Sequence, residues 1–166
     1  GGEAANVIPA YASLEYYFRA PTMAVAKAMS ERAVQCAEGA CQMAGTTLKT
    51  SVYECPYEDN KINYTLSRLL QKQYEELGLQ EIQPVDEVPG GSSDIGAVSY
   101  RCPALHGYIR ICGCEVTGHS REMAAATISP QGRQGLASGA SALAMCAVEL
   151  ACDPQLLAQG KAEFSR

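Results

Sequence analysis

The chain contains only two histidines, His106 and His119, and they lie in different settings. His119 belongs to the segment Val116–Ser120, where a preceding glycine is typical of a turn. A neutral imidazole is a good zinc ligand, and a catalytic zinc takes three protein ligands and a water. His119 is therefore a candidate metal ligand, and a plain surface turn residue is the alternative. His106 lies in an apolar segment, where a hydrogen-bonded core histidine is the simpler interpretation.

Cys112 and Cys114 offer a second way to bind a metal, in a C-x-C-x4-H string that ends at His119. Structural zinc sites usually close with four ligands and have two to four residues between their cysteines. A one-residue gap without a fourth ligand nearby makes this structural-zinc site the weaker alternative. Ser99 and Ser120 have no adjacent base that would indicate a nucleophile.

Asn6, Arg19 and a glycine-rich loop could contact a small ligand. The planar guanidinium of Arg19 can bind a carboxylate through two hydrogen bonds, and an asparagine can add one donor. The glycines of segment Gly90–Asp94 allow the backbone to approach a bound molecule closely. The plainer interpretations are an exposed strand arginine, an asparagine before a turn, and a loop in which Asp94 caps a turn.

The first elements that must position these residues form a strand–helix–strand unit. Tyr11–Ala20 alternates apolar and polar residues, with Arg19 on the polar face, and this predicts a strand. Small apolar residues recur at helical spacing from Pro21 to Gly45, where a glycine can end the helix in a left-handed conformation. Thr46–Glu54 is rich in Thr and Val and alternates again, which predicts a second strand.

A second helix and a long loop follow. An apolar stripe predicts a helix that Asp59 or Asn60 caps and Gly78 ends. Residues 79–99 are rich in Pro, Gly and Ser and have no helical period, so they predict a loop. Loops of this length in compact domains are often functional.

The last third of the chain combines a strand with two helices. Ala104–Gly113 is a short apolar run and predicts a buried strand. A long Ala-rich helix follows, and Asp153-Pro154 opens a last one. The predicted fold class is therefore mixed α/β, with a domain boundary between residues 55 and 60.

Charge and composition argue against several classes of function. The net charge is −5 and no basic run is visible, which argues against binding to nucleic acid or anionic membranes. No apolar stretch approaches the ~20 residues of a membrane span, and no signal peptide is visible. The eight cysteines lie where the patterns favour small apolar residues, so we expect reduced, buried thiols and a cytoplasmic protein.

Four motifs in a fixed order carry a resemblance to a known family. They are the loop Gly91-Ser92-Ser93-Asp94, the pair Val98-Ser99, the segment Pro103–His106 and the turn His119-Ser120. Together with the N-terminal segment they resemble the dinuclear-zinc amidohydrolases related to aminoacylase and glutamate carboxypeptidase. The chain looks most like the branch of aminoacylase-like dipeptidases and p-aminobenzoyl-glutamate hydrolases, and the resemblance runs over nearly its whole length.

The resemblance implies a zinc-aminopeptidase-like α/β catalytic domain interrupted by a ferredoxin-like lid. Residues 1–55 would be the second half of this lid or dimerisation domain, and residues 58–166 the C-terminal part of the catalytic domain. The family's other metal ligands, its general-base carboxylate and its lid histidine lie N-terminal to this region. We therefore expect a fragment of an enzyme that is inactive on its own.

The resemblance also implies roles for individual residues. His119 matches the family's last metal ligand, while Asn6 and Arg19 match a pair that binds the substrate's free carboxylate. Gly91 and Ser92 match a substrate-side loop. The parent enzyme would hold two zinc ions, or manganese or cobalt, and this chain alone would hold none stably. The substrate would be a dipeptide or an N-acyl amino acid, and we expect a homo-oligomer.

Two other functions stay open. The chain could be a non-catalytic interaction or assembly module, because an interrupted lid leaves sheet edges that invite pairing. It could also be a structural-zinc protein that uses Cys112, Cys114 and His119.

Overall fold

A computed structural model describes residues 2, 4–80 and 92–165, and every regular element in this part of the chain is a helix. The chain divides into a first unit, Gly1–Asp59, and a second unit, Asn60–Arg166. Among the described residues, the first unit contains α1 and the second contains five helices. Their bounds are α1 Met23–Ala44, α2 Tyr64–Glu76, α3 Ile95–Ser99, α4 Arg121–Thr127, α5 Pro130–Cys152 and α6 Pro154–Phe164.

The expected α/β fold is wrong for the described residues. None of them belongs to a β-strand or a bridge, so neither the strand–helix–strand half-lid nor the strand of the catalytic domain is present. Segments 11–20, 46–54 and 104–113 were the predicted strands, and each is irregular. Their alternating pattern is real, since the Tyr16 and Phe18 rings lie 6.1 Å apart on one side of the chain. A strand, however, also needs a backbone ladder with a neighbour, and alternation alone does not supply one.

Helix α1 begins and ends where the sequence predicts. The Thr22 hydroxyl accepts a hydrogen bond from the Val25 N–H at 3.4 Å, and the Asp59 carboxylate accepts one from the Met23 N–H at 2.7 Å. Gly45 ends the helix with φ 66°, a left-handed conformation that costs glycine little. None of the α1 side chains is buried, so the helix depends on its caps and backbone rather than on a core.

The core of the second unit lies where α2 packs on α5. The buried apolar residues there are Leu69 and Leu70 of α2 with Ala142 and Cys146 of α5. Gln73 is also buried, and its amide donates a hydrogen bond to the Glu149 carboxylate at 2.8 Å. Buried polar groups need such partners, because an unpaired one costs about 1–3 kcal/mol.

Helix α6 is joined to the start of α2 by side-chain hydrogen bonds. Asn63, rather than the predicted Asp59 or Asn60, caps α2 by accepting from the Leu66 N–H at 3.1 Å. Its amide also donates to the Gly160 carbonyl at 2.8 Å. The Glu163 carboxylate accepts from the N–H groups of Tyr64 and Thr65 at 2.8 and 2.9 Å. Two α6 residues thereby satisfy groups at the N-terminus of α2.

The remaining helices follow local capping signals. Ser120 caps α4, Ser129 caps α5, and Asp153 caps α6 before Pro154, as the Asp-Pro pair predicts. Helix α3 lies inside the predicted loop at residues 79–99, and that prediction missed it. The part of the loop at residues 81–91 is outside the described residues.

Helix α5 corrects the expectation that no apolar stretch approaches the length of a membrane span. Of the described helices it is the one long and apolar enough to cross a membrane, since it has 23 residues and contains an 18-residue stretch with a mean hydropathy of 1.5. Its many alanines make it apolar without a continuous run of large side chains. Length and composition alone do not assign a membrane, since core helices of water-soluble proteins also pass this test.

The eight cysteines form no disulfide and are mostly uncovered. All eight have free thiols, yet only Cys146 is buried, Cys41 and Cys112 are half-buried, and the other five are exposed. The expectation of buried thiols is therefore wrong for seven of the eight. The spacing of small apolar residues identifies an apolar helix face. Whether that face is buried depends on other segments, which its own sequence does not specify.

Candidate functional site

His119 is exposed and lies in the turn before α4 with φ 59°, the one positive φ among the described non-glycine residues. A left-handed conformation costs a residue with a Cβ roughly 1–2 kcal/mol, although histidine adopts it more readily than most. The next residue, Ser120, fixes the end of this turn because its hydroxyl accepts from the Met123 N–H at 3.0 Å. The helix cap thus holds a strained histidine at the surface, which is a feature common at functional sites.

The described residues of this chain do not complete a metal site around His119. No three His, Cys, Asp or Glu side chains among them lie close enough to hold one ion. The sulfur of Cys112 faces the sulfur of Met123 at 4.0 Å, and Cys114 is exposed. The structural-zinc alternative with Cys112, Cys114 and His119 therefore lacks its geometry here. A catalytic zinc needs three protein ligands, and the described residues bring no three together.

Arg19 is held against an aromatic side chain in the first unit. Its guanidinium carbon lies 5.8 Å from the centre of the Tyr17 ring, within reach of a cation–π contact. The Tyr17 ring meets the Tyr53 ring edge-on at 5.9 Å. Hydrogen bonds with Tyr53 and then Glu54 raise the pKa of Tyr17, and they join segments 11–20 and 46–54 at this point. The Arg19 side chain is thus oriented by a neighbour on its own face of the chain.

The other predicted ligand-binding residues are exposed or outside the described part. Asn6 is exposed in a turn whose Val7 N–H donates to the Ala4 carbonyl at 3.2 Å. Ser92 is exposed just before α3, and Gly91 lies outside the described residues. Asn6 and Arg19 belong to the first unit, and Ser92 and His119 to the second.

Asp94 precedes α3 without capping it. Its side chain makes no hydrogen bond to the helix N-terminus, and the Ser93 hydroxyl lies 3.4 Å from its carboxylate. Asp94 is exposed, so its carboxylate stays available to solvent. The sequence left two roles open for Asp94, orienting a neighbour or capping a turn, and its side chain does not cap α3.

His106 is exposed, so the expected core histidine is wrong. Its ring stacks on the ring of Tyr108 at 4.8 Å, on the outer side of segment 104–111. Ser99, by contrast, is buried and structural. Its hydroxyl donates to the Gly96 carbonyl at 2.6 Å and accepts from the Lys61 N–H at 2.9 Å.

Two hollows are lined by none of the predicted site residues. An open apolar groove of about 690 Å³ runs along α1, where Phe18 and Met29 are among its walls and Arg32 brings the single charge. A smaller hollow of about 260 Å³ contains the exposed ion pair of Lys72 and Glu149, whose atoms are 2.8 Å apart. Their mutual hydrogen bond lowers the pKa of Glu149 and raises that of Lys72.

The sequence interpretation missed the contact that orients Arg19. The alternating pattern had already placed Tyr17 and Arg19 on one face, because they are two residues apart. The link to Tyr53 joins positions far apart in sequence and left no local signal.

The sequence is similar to curated peptidases. It is 32% identical to the Xaa-Arg dipeptidase of Mus musculus and 30% identical to that of Homo sapiens. Each alignment covers 99% of this chain but only 38% of the relative's length. No protein-family model matches the chain. The similarity supports a relationship to peptidases and amidohydrolases.

Proposed function

We propose that this chain is one part of a metal-dependent amidohydrolase that cleaves dipeptides, and that it does not catalyse the reaction alone. One observation carries the proposal: nearly the whole chain aligns with Xaa-Arg dipeptidases while spanning 38% of their length.

For the substrate, we propose a dipeptide whose C-terminal residue is basic. The names of the relatives specify arginine at that position. The same C-terminal residue carries the dipeptide's free α-carboxylate, and a guanidinium is well suited to bind this group. Arg19 is the candidate for this role, with Asn6 as an additional donor and Gly91 and Ser92 as a loop on the substrate side. The contact with Tyr17 supports the assignment, because an oriented arginine loses less side-chain freedom on binding.

For the metal, we propose His119 as one ligand of a zinc, manganese or cobalt centre. Its strained turn and its exposure support this role. The other ligands would come from residues outside this sequence. A cytoplasmic location is part of the proposal, because eight reduced thiols persist in a reducing compartment.

The experiment that tests this function is a chimera. The aligned region of the mouse Xaa-Arg dipeptidase is replaced by these 166 residues, and hydrolysis of Xaa-Arg dipeptides is followed with and without a chelator. We expect activity that the chelator abolishes. We expect His119→Ala to lower kcat/KM by at least about 100-fold and Arg19→Ala to act mainly through KM.

Matched variants serve as controls. His106→Ala removes the other histidine, and Arg32→Ala removes an arginine of the α1 groove. Both should leave kcat/KM within about threefold of the parent chimera, since neither position is assigned to the site. A folded chimera without dipeptidase activity, or equal losses for both histidines, would contradict the proposed function.

An assembly module without catalysis is the second candidate. The observation that favours it is the large share of apolar side chains left uncovered in this chain, which include Leu136 at 74% exposure. A folded and inactive chimera would favour this function over hydrolysis.

A further inference from the structure

Helix α5 has two apolar faces, and only one is covered. The residues of its covered face include Gly132, Gly135, Ala142 and Cys146. A second row of apolar residues recurs at spacings of three and four, so it forms one line along the helix. We call this row the α5 stripe, and its members are Leu136, Ala140, Leu143 and Ala147. All four are exposed, and the two leucines expose 74% and 54% of their surface.

The chain exposes more surface than two compact bodies of the same lengths would expose. The accessible surface is 12700 Å². Two separate compact bodies with the lengths of the two units would expose about 9,500 Å² together. The excess of roughly 3,000 Å² is several times the ~800 Å² that one partner buries in a standard interface.

We propose that the α5 stripe is an internal packing surface, covered by polypeptide of a longer hydrolase that these 166 residues do not include. This inference depends on the proposed function for the existence of that longer chain. The relatives are long enough to supply such polypeptide, because the alignment covers 38% of each relative and leaves the other 62% outside it.

The stripe also specifies what can cover it. Leu136 and Leu143 are seven residues apart, so their side chains project about 10 Å apart along the helix. Between and beyond them, Ala140 and Ala147 allow a neighbouring backbone to approach closely. The covering surface is therefore apolar, with two recesses about 10 Å apart that receive the leucines.

A bilayer fits the same helix less well. Two polar residues, Gln134 and Ser141, lie on the side of α5 away from its covered face, and we call them the polar row. Glu149 forms its ion pair with Lys72 of α2 at 2.8 Å, and both side chains are partly exposed. Charged groups are costly in a hydrocarbon core, so a spanning α5 would bring this ion pair into lipid at a large penalty.

The test compares two double variants that add the same charge to the same helix. Leu136→Asp with Leu143→Asp disrupts the stripe, whereas Gln134→Asp with Ser141→Asp changes the polar row. Each pair is made in the isolated chain and in the chimera with the mouse Xaa-Arg dipeptidase. Thermal unfolding, binding of the dye ANS and gel filtration are measured for all of them.

We expect the stripe variant to lower the Tm of the chimera by at least about 10 °C, because it places two charges in a packed interior. The polar-row variant should shift it by less than about 3 °C. In the isolated chain, neither double variant should shift the Tm by more than about 3 °C. The stripe variant alone should reduce ANS binding measurably, since it removes two of the exposed apolar side chains.

Several results would overturn the proposal. A folded chimera that tolerates the stripe variant as well as the control shows that no polypeptide covers the stripe. The chimera with the native stripe could also fail to unfold cooperatively. This result would show that the stripe does not fit the surface of the mouse enzyme that packs against the equivalent segment. A discrete dimer of the isolated chain that the stripe variant dissociates would identify a second copy as the occupant. Binding to phosphatidylcholine–phosphatidylglycerol vesicles that the stripe variant abolishes would identify a bilayer.

The two proposals fail separately. A chimera that is stripe-sensitive but inactive contradicts only the hydrolase function. One that is active but stripe-insensitive contradicts only the packing of α5.

Discussion

At the scale of single residues, His119 combines exposure with a strained backbone. Its turn was predictable from the neighbouring glycine, but its φ of 59° was not, since any of several turns could follow Gly118. His106 shows the opposite problem. Its apolar neighbours in sequence suggested burial, yet its side of segment 104–111 is exposed because no other part of the described chain covers it.

The strain at His119 predicts that glycine is the better residue for stability. We expect His119→Gly to raise the free energy of unfolding of the isolated chain by about 0.5–1 kcal/mol, measured by urea denaturation, since glycine adopts positive φ without a penalty. His119→Val should lower it, because a β-branched residue is strongly disfavoured there. His106→Gly is the control, and an equal gain from it would show that strain at His119 is not the cause.

At the scale of elements, helices could be predicted and strands could not. The ends of α1 and α6 follow from residues within four positions of each cap, namely Thr22, Gly45 and Asp153. A strand depends on a second segment that may lie anywhere in the chain, so alternation in Tyr11–Ala20 could not establish one. The predicted cap of α2 was wrong because Asn63 is the cap. Its amide is also held by a hydrogen bond to the Gly160 carbonyl, which lies far away in sequence.

Two glycines of α5 should respond oppositely to alanine. A Cβ on Gly139 would meet only Ile109 side-chain carbons, at 3.8 Å or more, so Gly139→Ala should raise the free energy of unfolding by about 0.5–1 kcal/mol. A Cβ on Gly132 would collide with the Ala126 carbonyl oxygen and lie 2.7 Å from that of Thr127. Backbone cannot yield as a side chain can, so Gly132→Ala should lower it by about 1–3 kcal/mol. Chemical denaturation of both variants checks this, and a gain at both positions would contradict the α4–α5 packing.

The junction of α6 with α2 should weaken in acid. Burial raises the pKa of Glu163, but hydrogen bonds from Thr65 and Tyr64 outweigh it and lower the pKa below its usual value. A carboxyl group with a lowered folded-state pKa stabilises the fold above its unfolded pKa of about 4.3, and this contribution is lost as the pH falls through the folded-state value.

We therefore expect the Tm to fall between pH 6 and pH 3, with a smaller fall in Glu163→Gln. At pH 7 the variant should be less stable by about 0.5–1.5 kcal/mol, the contribution of a typical hydrogen bond. Glu75→Gln removes the same charge from an exposed position of α2 and should keep the pH dependence of the parent. Identical pH profiles for the parent and Glu163→Gln would contradict the role of this junction.

At the scale of the whole molecule, composition predicted which residues are apolar but not how many of them this chain covers. Only four apolar residues form the buried core of the described part, although 47% of the sequence is hydrophobic. The candidate site is incomplete in the same way, because Arg19 and His119 were identifiable as residue types while the ligands beside them were not.

This incompleteness predicts the metal content of the isolated chain. After gel filtration without a chelator, elemental mass spectrometry should find well below one zinc, manganese or cobalt ion per chain, because one exposed histidine binds such ions weakly. His119→Ala should then change nothing measurable. About two tightly bound ions per chain would contradict the shared-site proposal.

The uneven exposure of the thiols has a practical consequence. Cys146 is the one buried cysteine, and it lies in the contact between α2 and α5, while five others are open to solvent. Burial raises the pKa of the Cys146 thiol, which slows alkylation further because the thiolate is the reactive form. A pulse of iodoacetamide followed by mass spectrometry would therefore mark the surface thiols first and Cys146 only when α2 separates from α5. The rate of Cys146 labelling therefore reports how often the contact between α2 and α5 opens.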